Sequence, residues 1–68
     1  MITAAILVIG NEILSGRTKD TNVNFIAKRL NDLGIDLSEV RIVPDNENQI
    51  IDAVNTLRKT YTYVFTTG

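Results

Sequence analysis

Apolar residues run without interruption from Ala4 to Ile9, and Gly10 ends the run. A short stretch of branched side chains bounded by glycine predicts a strand, Thr3 to Ile9, buried on both faces. The following segment, Gly10 to Asp20 (GNEILSGRTKD), is polar and holds two glycines. It predicts a loop with a helical turn around Glu12-Ile13-Leu14. Val23, Ile26, Ala27, Leu30 and Leu33 then recur at the spacing of one helix face. Asp20 or Thr21 can cap that helix, because a short side-chain oxygen accepts from the free N–H groups of the first turn. Gly34 supplies the left-handed residue that ends it.

Residues Ile35 to Val43 alternate in part and predict a second strand with one wetter face, nearer a sheet edge. Pro44 stops it. Asp45 or Asn46 caps the next helix, and Gln49 stands three residues after Asn46 as in a capping box. Ile50, Ala53, Val54 and Leu57 form its apolar stripe. Tyr61 to Thr67 (YTYVFTT) is aromatic and β-branched, which predicts a third strand. The order β-α-β-α-β implies parallel strands joined by right-handed crossovers. The first strand is the most apolar and belongs at the centre, which gives strand order 2-1-3. Reversal of direction across it puts the helices on opposite faces, a three-layer α/β/α arrangement. It also creates a switch point between strands 1 and 3, where open α/β sheets bind ligands.

The chain has 68 residues, short of the roughly 100–150 of a common domain. Three strands with one helix on each face leave the sheet thinly covered. The expectation is that residues 1–68 form the N-terminal part of a larger α/β domain, incomplete by themselves. In isolation, apolar side chains from Ala4 to Ile9 and from Tyr61 to Phe65 are expected to stay partly wet. Seven basic and eight acidic residues give a net charge of −1, so there is no strong pull toward nucleic acid or an anionic membrane. Cysteine and histidine are both absent, which excludes disulfides, thiolate metal sites and imidazole catalysis from this chain's own residues. No apolar run approaches the ~20 residues that span a bilayer, and a soluble, cytoplasmic chain is expected.

Two segments meet at the switch point. The loop after strand 1 carries Gly10, Asn11, Glu12, Ser15, Gly16, Asp20, Thr21 and Asn22; the end of strand 3 carries Thr66, Thr67 and Gly68. Glycine lets backbone N–H groups approach a phosphate, and threonine hydroxyls add donors. A small phosphate-bearing ligand is therefore expected. Glu12 and Asp20 suit a metal or acid–base pair, and equally a solvated loop carboxylate and a helix cap. Arg17 and Lys19 suit phosphate contact, and equally plain solvent exposure. Gly10 and Gly16-Arg17-Thr18 are one residue too widely spaced for a phosphate loop, with Arg in place of Lys, and no G-x-G-x-x-G follows the strand.

The string Ile9-Gly10-Asn11-Glu12-Ile13-Leu14-Ser15-Gly16, followed by Asp20-Thr21-Asn22, resembles the opening of the MoaB/Mog-type molybdopterin-binding domain, and most nearly its CinA (competence/damage-inducible protein A) branch. Leu33-Gly34-Ile35, Val43-Pro44-Asp45-Asn46 and Phe65-Thr66-Thr67-Gly68 resemble its later segments in register. The resemblance implies a MoaB/Mog fold with a pocket at the strand 1 and strand 3 loops for a pterin or nucleotide (pyro)phosphate. It also implies, for the complete domain, hydrolysis of ADP-ribose-like pyrophosphates with a divalent metal ion, molybdopterin as a further candidate ligand, and homo-oligomerisation. Glu12 and Asp20 become candidate catalytic residues. Gly10, Asn11, Ser15, Gly16, Thr21, Asn22, Asp45, Thr66, Thr67 and Gly68 become candidate ligand-binding residues. The chain carries the family's T-T-G-G-x-G-P-T-x-D-D signature only through its first glycine, Gly68, without the paired aspartates that would hold much of the cation, and Asn11 replaces a commoner Asp. Two alternatives accompany this reading: an inactive truncated or decayed gene product, and a molybdopterin-binding module without hydrolysis.

Overall fold

Strand β1 (Thr3–Ile9) is the central strand of a three-stranded parallel sheet of order β2-β1-β3 in the computed structural model, which describes residues Met1–Gly68. The outer strands are β2 (Asp36–Val43) and β3 (Tyr63–Thr67). Helices α1 (Asn11–Leu14), α2 (Asn22–Asp32) and α3 (Glu47–Thr60) fill the connections. Both edges of β1 are hydrogen-bonded and its apolar side chains are withdrawn from water: Ala4, Ala5, Ile6 and Leu7 are fully buried. The expectation of wet side chains is corrected accordingly for Ala4 to Val8, because the neighbouring strands and the helices above and below shield this strand first, while Ile9 at its end is only half-buried.

On one face Ala5 and Leu7 of β1 and Val43 of β2 pack against Ala53 and Leu57 of α3. Ile50 and Val54, the other members of the predicted stripe, lie beside that cluster. Strands β2 and β3 flank β1 on opposite sides, so two right-handed crossovers carry α2 and α3 to opposite faces. Helix α2 contributes the buried Leu30 and packs against β2. Its stripe is shorter than predicted, since Leu33 is 69% exposed. Leu33 lies past the last helical residue, where Gly34 N–H donates to Asn31 and Ile35 N–H donates to Leu30, a double closure that turns the chain toward β2. On this face the β3 half of the sheet is open. Tyr63 and Phe65 are exposed, with ring centroids 6.3 Å apart.

Caps follow the sequence with one refinement. Asn46 Oδ1 accepts from Gln49 N–H at 3.1 Å and starts α3. At α2 the boundary residue is Thr21, but the side chain that accepts a backbone N–H is that of Asp20, from Asn22 at 3.0 Å.

The partial alternation of strand β2 has a structural cause. The pairing with β1 shifts between Ala4 and Ala5, where Ser38 is inserted as a bulge. Glu39 and Arg41 thereby pair with Ala5 and Leu7 on the α3 face, whereas Val40 and Ile42 turn to the α2 face and are partly exposed. Tyr61 is not in β3; it caps α3 and reaches across the sheet instead. Its hydroxyl donates to Glu39 Oε1 at 2.7 Å, and Arg41 Nε donates to Glu39 Oε2 at 2.8 Å. The phenol and then the guanidinium hold the Glu39 carboxyl below its ordinary pKa, and the carboxylate acceptor raises that of Tyr61.

The two shifts give opposite pH limbs. A lowered carboxyl pKa stabilises the fold above its unfolded value and is lost as pH falls through the lowered one. A raised phenol pKa stabilises the fold below its unfolded value and is lost as pH rises through the raised one. The contribution is therefore present between the ordinary values of 4.5 and 10.0 and declines outside them. Phenolate absorbance is expected to place the Tyr61 titration above 10.0. Glu39→Gln brings it down, and a titration that Glu39→Gln leaves unmoved would show that the contact is absent in solution.

Candidate functional site

The sheet is parallel, so the C-terminal ends of β1, β2 and β3 open on one side, and the loops that leave them gather there. Gly10 N–H donates to the Val43 carbonyl at 3.0 Å, extending the β1–β2 ladder one step beyond the strand. One residue later, Asn11 Oδ1 accepts from Asp45 N–H at 3.1 Å. These two bonds tie the β1 loop to the end of β2 and the β2–α3 loop, the second of them across 34 residues of chain.

Two adjoining cavities lie at this end. The first, about 430 Å³, is lined by Ile9, Gly10, Asn11, Glu12, Asp45, Thr66, Thr67 and Gly68. The second, about 320 Å³, is lined by Val8, Ile9, Glu12, Ile13 and residues 18–22, together with Thr67 and Gly68. Each falls near the lower end of the roughly 300–1,000 Å³ of small-molecule sites. Strand register explains the division. Thr66 pairs with Leu7 and shares the α3 face, whereas Thr67 pairs with Val8 and shares the α2 face. Thr66 accordingly lines only the first cavity. Ile9, Glu12, Thr67 and Gly68 line both, with Glu12 on their common border.

Two glycines make room for this geometry by different means. The Gly10 backbone is extended, with φ 169°, which any residue tolerates. Its constraint is space: a Cβ there would stand 2.7 Å from Glu12 Oε1, because the carboxylate folds back over residue 10. Gly68 has φ 137°, and a Cβ there would collide with the Ile9 carbonyl oxygen.

Of the twelve residues singled out from sequence, ten line one or both cavities: Gly10, Asn11, Glu12, Asp20, Thr21, Asn22, Asp45, Thr66, Thr67 and Gly68. Ser15 and Gly16 line neither. Ser15 N–H and hydroxyl donate to Asn11 and Glu12 carbonyls, and Gly16 N–H donates to Ile13, so this pair closes the turn after α1. Asp20 borders the second cavity while its Oδ1 accepts from Asn22 N–H. Lys19, a phosphate candidate from its charge, is the one basic residue in either lining. Val8, Ile9, Ile13 and Thr18 complete the lining; the strand pattern reads Val8 and Ile9 as core, and nothing in the pattern marks them as site residues.

No group of three or more His, Cys, Asp or Glu side chains comes together in a way that could hold a metal ion. Residues 1–68 therefore do not by themselves make up a site for the divalent cation that the resemblance implies for the complete domain. No helix is long and apolar enough to cross a membrane.

A family model described as "Probable molybdopterin binding domain" matches residues 5–68. The chain belongs to this molybdopterin-binding domain family. Within it, the chain is similar to a solved structure of the protein CinA, of unknown function, from Thermoplasma acidophilum. The TM-score is 0.92 at 32% identity, over 97% of this chain and 39% of that one. It is 46% identical over 66 residues to a Caenorhabditis elegans protein named "Probable FAD synthase". It is 40% identical over 65 residues to an Alkaliphilus oremlandii protein named "Putative competence-damage inducible protein". It covers 97% and 96% of its own length in these matches but spans only 13% and 16% of those relatives. The likeness to CinA and the 2-1-3 sheet agree with the MoaB/Mog-type, CinA-like reading of the motifs.

Gly10→Ala tests the placement of Glu12. The extended backbone accepts alanine, so unfolding stability is expected to change by no more than about 1 kcal/mol, a shift typical of mild substitutions. The Glu12 carboxylate must swing off residue 10, so its side-chain carboxyl carbon shift, read at one fixed pH, is expected to differ from that of the parent protein. An unchanged Glu12 signal would show that the fold-back is not populated.

Proposed function

We propose that this chain supplies one wall of a pocket for a small phosphate-bearing ligand, a pterin or nucleotide (pyro)phosphate, and that the whole protein hydrolyses pyrophosphates of the ADP-ribose type. The observation that supports the reading is the meeting of Gly10-Asn11-Glu12, Asp45 and Thr66-Thr67-Gly68 in one cavity at the strand ends of a molybdopterin-binding-type domain. Thr66 and Thr67 hydroxyls and the backbone N–H groups near Gly68 and Gly10 donate to ligand oxygens. The relative whose name refers to FAD, a dinucleotide, is consistent with nucleotide chemistry in this family.

Glu12 suits the hydrolytic role because it borders both cavities. A water between them attacks one phosphorus, the bond from that phosphorus to the bridging oxygen breaks, and two phosphomonoesters leave. The Glu12 carboxylate orients the water and accepts its proton. Asp20, engaged by Asn22 N–H, serves mainly to hold the start of α2 beside the second cavity.

In the protein, Glu12→Gln is expected to lower ADP-ribose hydrolysis by about 100-fold or more, the usual weight of a positioned general base, with little change in the thermal midpoint. A mutant rate equal to the parent rate would reduce Glu12 to a loop residue. Calorimetric titration with ADP-ribose and with molybdopterin separates the alternatives. Molybdopterin binding without turnover of ADP-ribose supports a binding module, and no binding of either supports an inactive product.

A further inference from the structure

Asn11 stands at an unusual point in the first cavity. Its side-chain oxygen is committed to Asp45 N–H at 3.1 Å. Pro44, just before, has no N–H to give, and Asn46 N–H donates to the Pro44 carbonyl. Asp45 N–H is thus the first free donor beyond β2, and Asn11 is its acceptor. An amide that accepts through oxygen has its NH₂ group fixed on the other side. That NH₂ has no partner within the chain, and Asn11 is exposed and lines the cavity. The NH₂ repels a cation, and the neutral amide offers it no charge.

We propose that Asn11 determines which ligand atoms the first cavity accepts. Its NH₂ donates to a ligand oxygen, and as a neutral amide it adds no third negative charge to Glu12 and Asp45, the two carboxylates in the same lining, with which to hold a cation. The donor half of this proposal rests on the phosphate-bearing ligand described above; the cation half does not. Asn11→Asp separates the two atoms of the amide, because a carboxylate still accepts from Asp45 N–H but cannot donate to the ligand.

The test uses Asn11→Asp in the protein, with ADP-ribose and Mn²⁺ alone as probes in calorimetric titrations. Protection of Asp45 N–H from exchange is expected to survive in the variant. ADP-ribose is expected to bind about tenfold more weakly, the effect of a lost hydrogen bond of ordinary strength. Mn²⁺ is expected to bind at least about tenfold more tightly than in the parent protein, a carboxylate having replaced an amide. ADP-ribose and Mn²⁺ affinities both equal to the parent values would overturn the proposal and leave Asn11 as a loop tie. A parent protein that binds no ADP-ribose defeats the functional reading, while the Mn²⁺ comparison still decides the cation half. Should the variant fail to fold, the Asn11 side-chain NH₂ resonances of the parent protein decide. They are expected to shift on adding ADP-ribose and to stay fixed on adding Mn²⁺, and the reverse pattern refutes the assignment.

Discussion

Everything else in this chain is arranged around the burial of β1. Five consecutive residues, Ala4 to Val8, are buried, and both hydrogen-bonding edges of the strand are used. A strand apolar on both faces cannot lie at an edge without exposing half of itself, so β2 and β3 must take opposite sides. Parallel pairing then requires long crossovers, and their fixed handedness sends α2 and α3 to opposite faces. Because direction reverses across β1, its C-terminal end stands where the two outgoing loops separate. The cleft is the geometrical consequence of a core requirement, and its floor is the end of the same strand, Ile9, with Gly10 just after it.

The chemistry of the cleft is set by what that floor carries. In the first cavity Glu12 and Asp45 are acidic, Asn11, Thr66 and Thr67 are neutral, and no basic side chain lines it. The second adds Lys19 beside Asp20 and Glu12. Recognition of a phosphate in such a place falls on hydroxyls and backbone N–H groups, with Lys19 the only fixed positive charge. An anion is more comfortable toward the Lys19 side, and hydroxyl or amino groups of a ligand toward the two carboxylates. A two-part ligand, polar and donor-rich at one end and anionic at the other, suits this distribution better than a bare anion.

Much of this was legible in the residues because local and global signals agree. The apolar run of β1, the i, i+3, i+4 stripe of α3 and the Asn46 cap each have a short-range cause, and the 2-1-3 order follows from the relative apolarity of the strands. The loops of the site were legible for the same reason, since the topology alone locates the switch point. Three features were not. The bulge at Ser38 changes the phase of β2 without any glycine or proline to mark it. Tyr61 looks like a strand residue by propensity, and a tertiary contact with Glu39 takes it out of the strand. Ser15 and Gly16 belong to the motif string yet only close a turn, because a motif records which residues occur together and not which ones face the ligand.

Register is the finest constraint on the site. β3 offers two adjacent hydroxyl residues, and the pairing of Val8 with Thr67 decides which side of the sheet each one serves. A slip of one residue would exchange them, since side chains alternate across a strand. Thr67 would then turn to the α3 side and leave the second cavity, and Gly68 would no longer lie against the Ile9 carbonyl. Gly68 opposes one such slip. Its backbone fits against Ile9 only because it lacks a Cβ, and sliding β3 forward by one residue, toward its C-terminal end, would bring the Thr67 Cβ to that carbonyl. The same contact that brings β3 close to the end of β1 thus fixes the pairing of β3, and with it the position of both threonine hydroxyls.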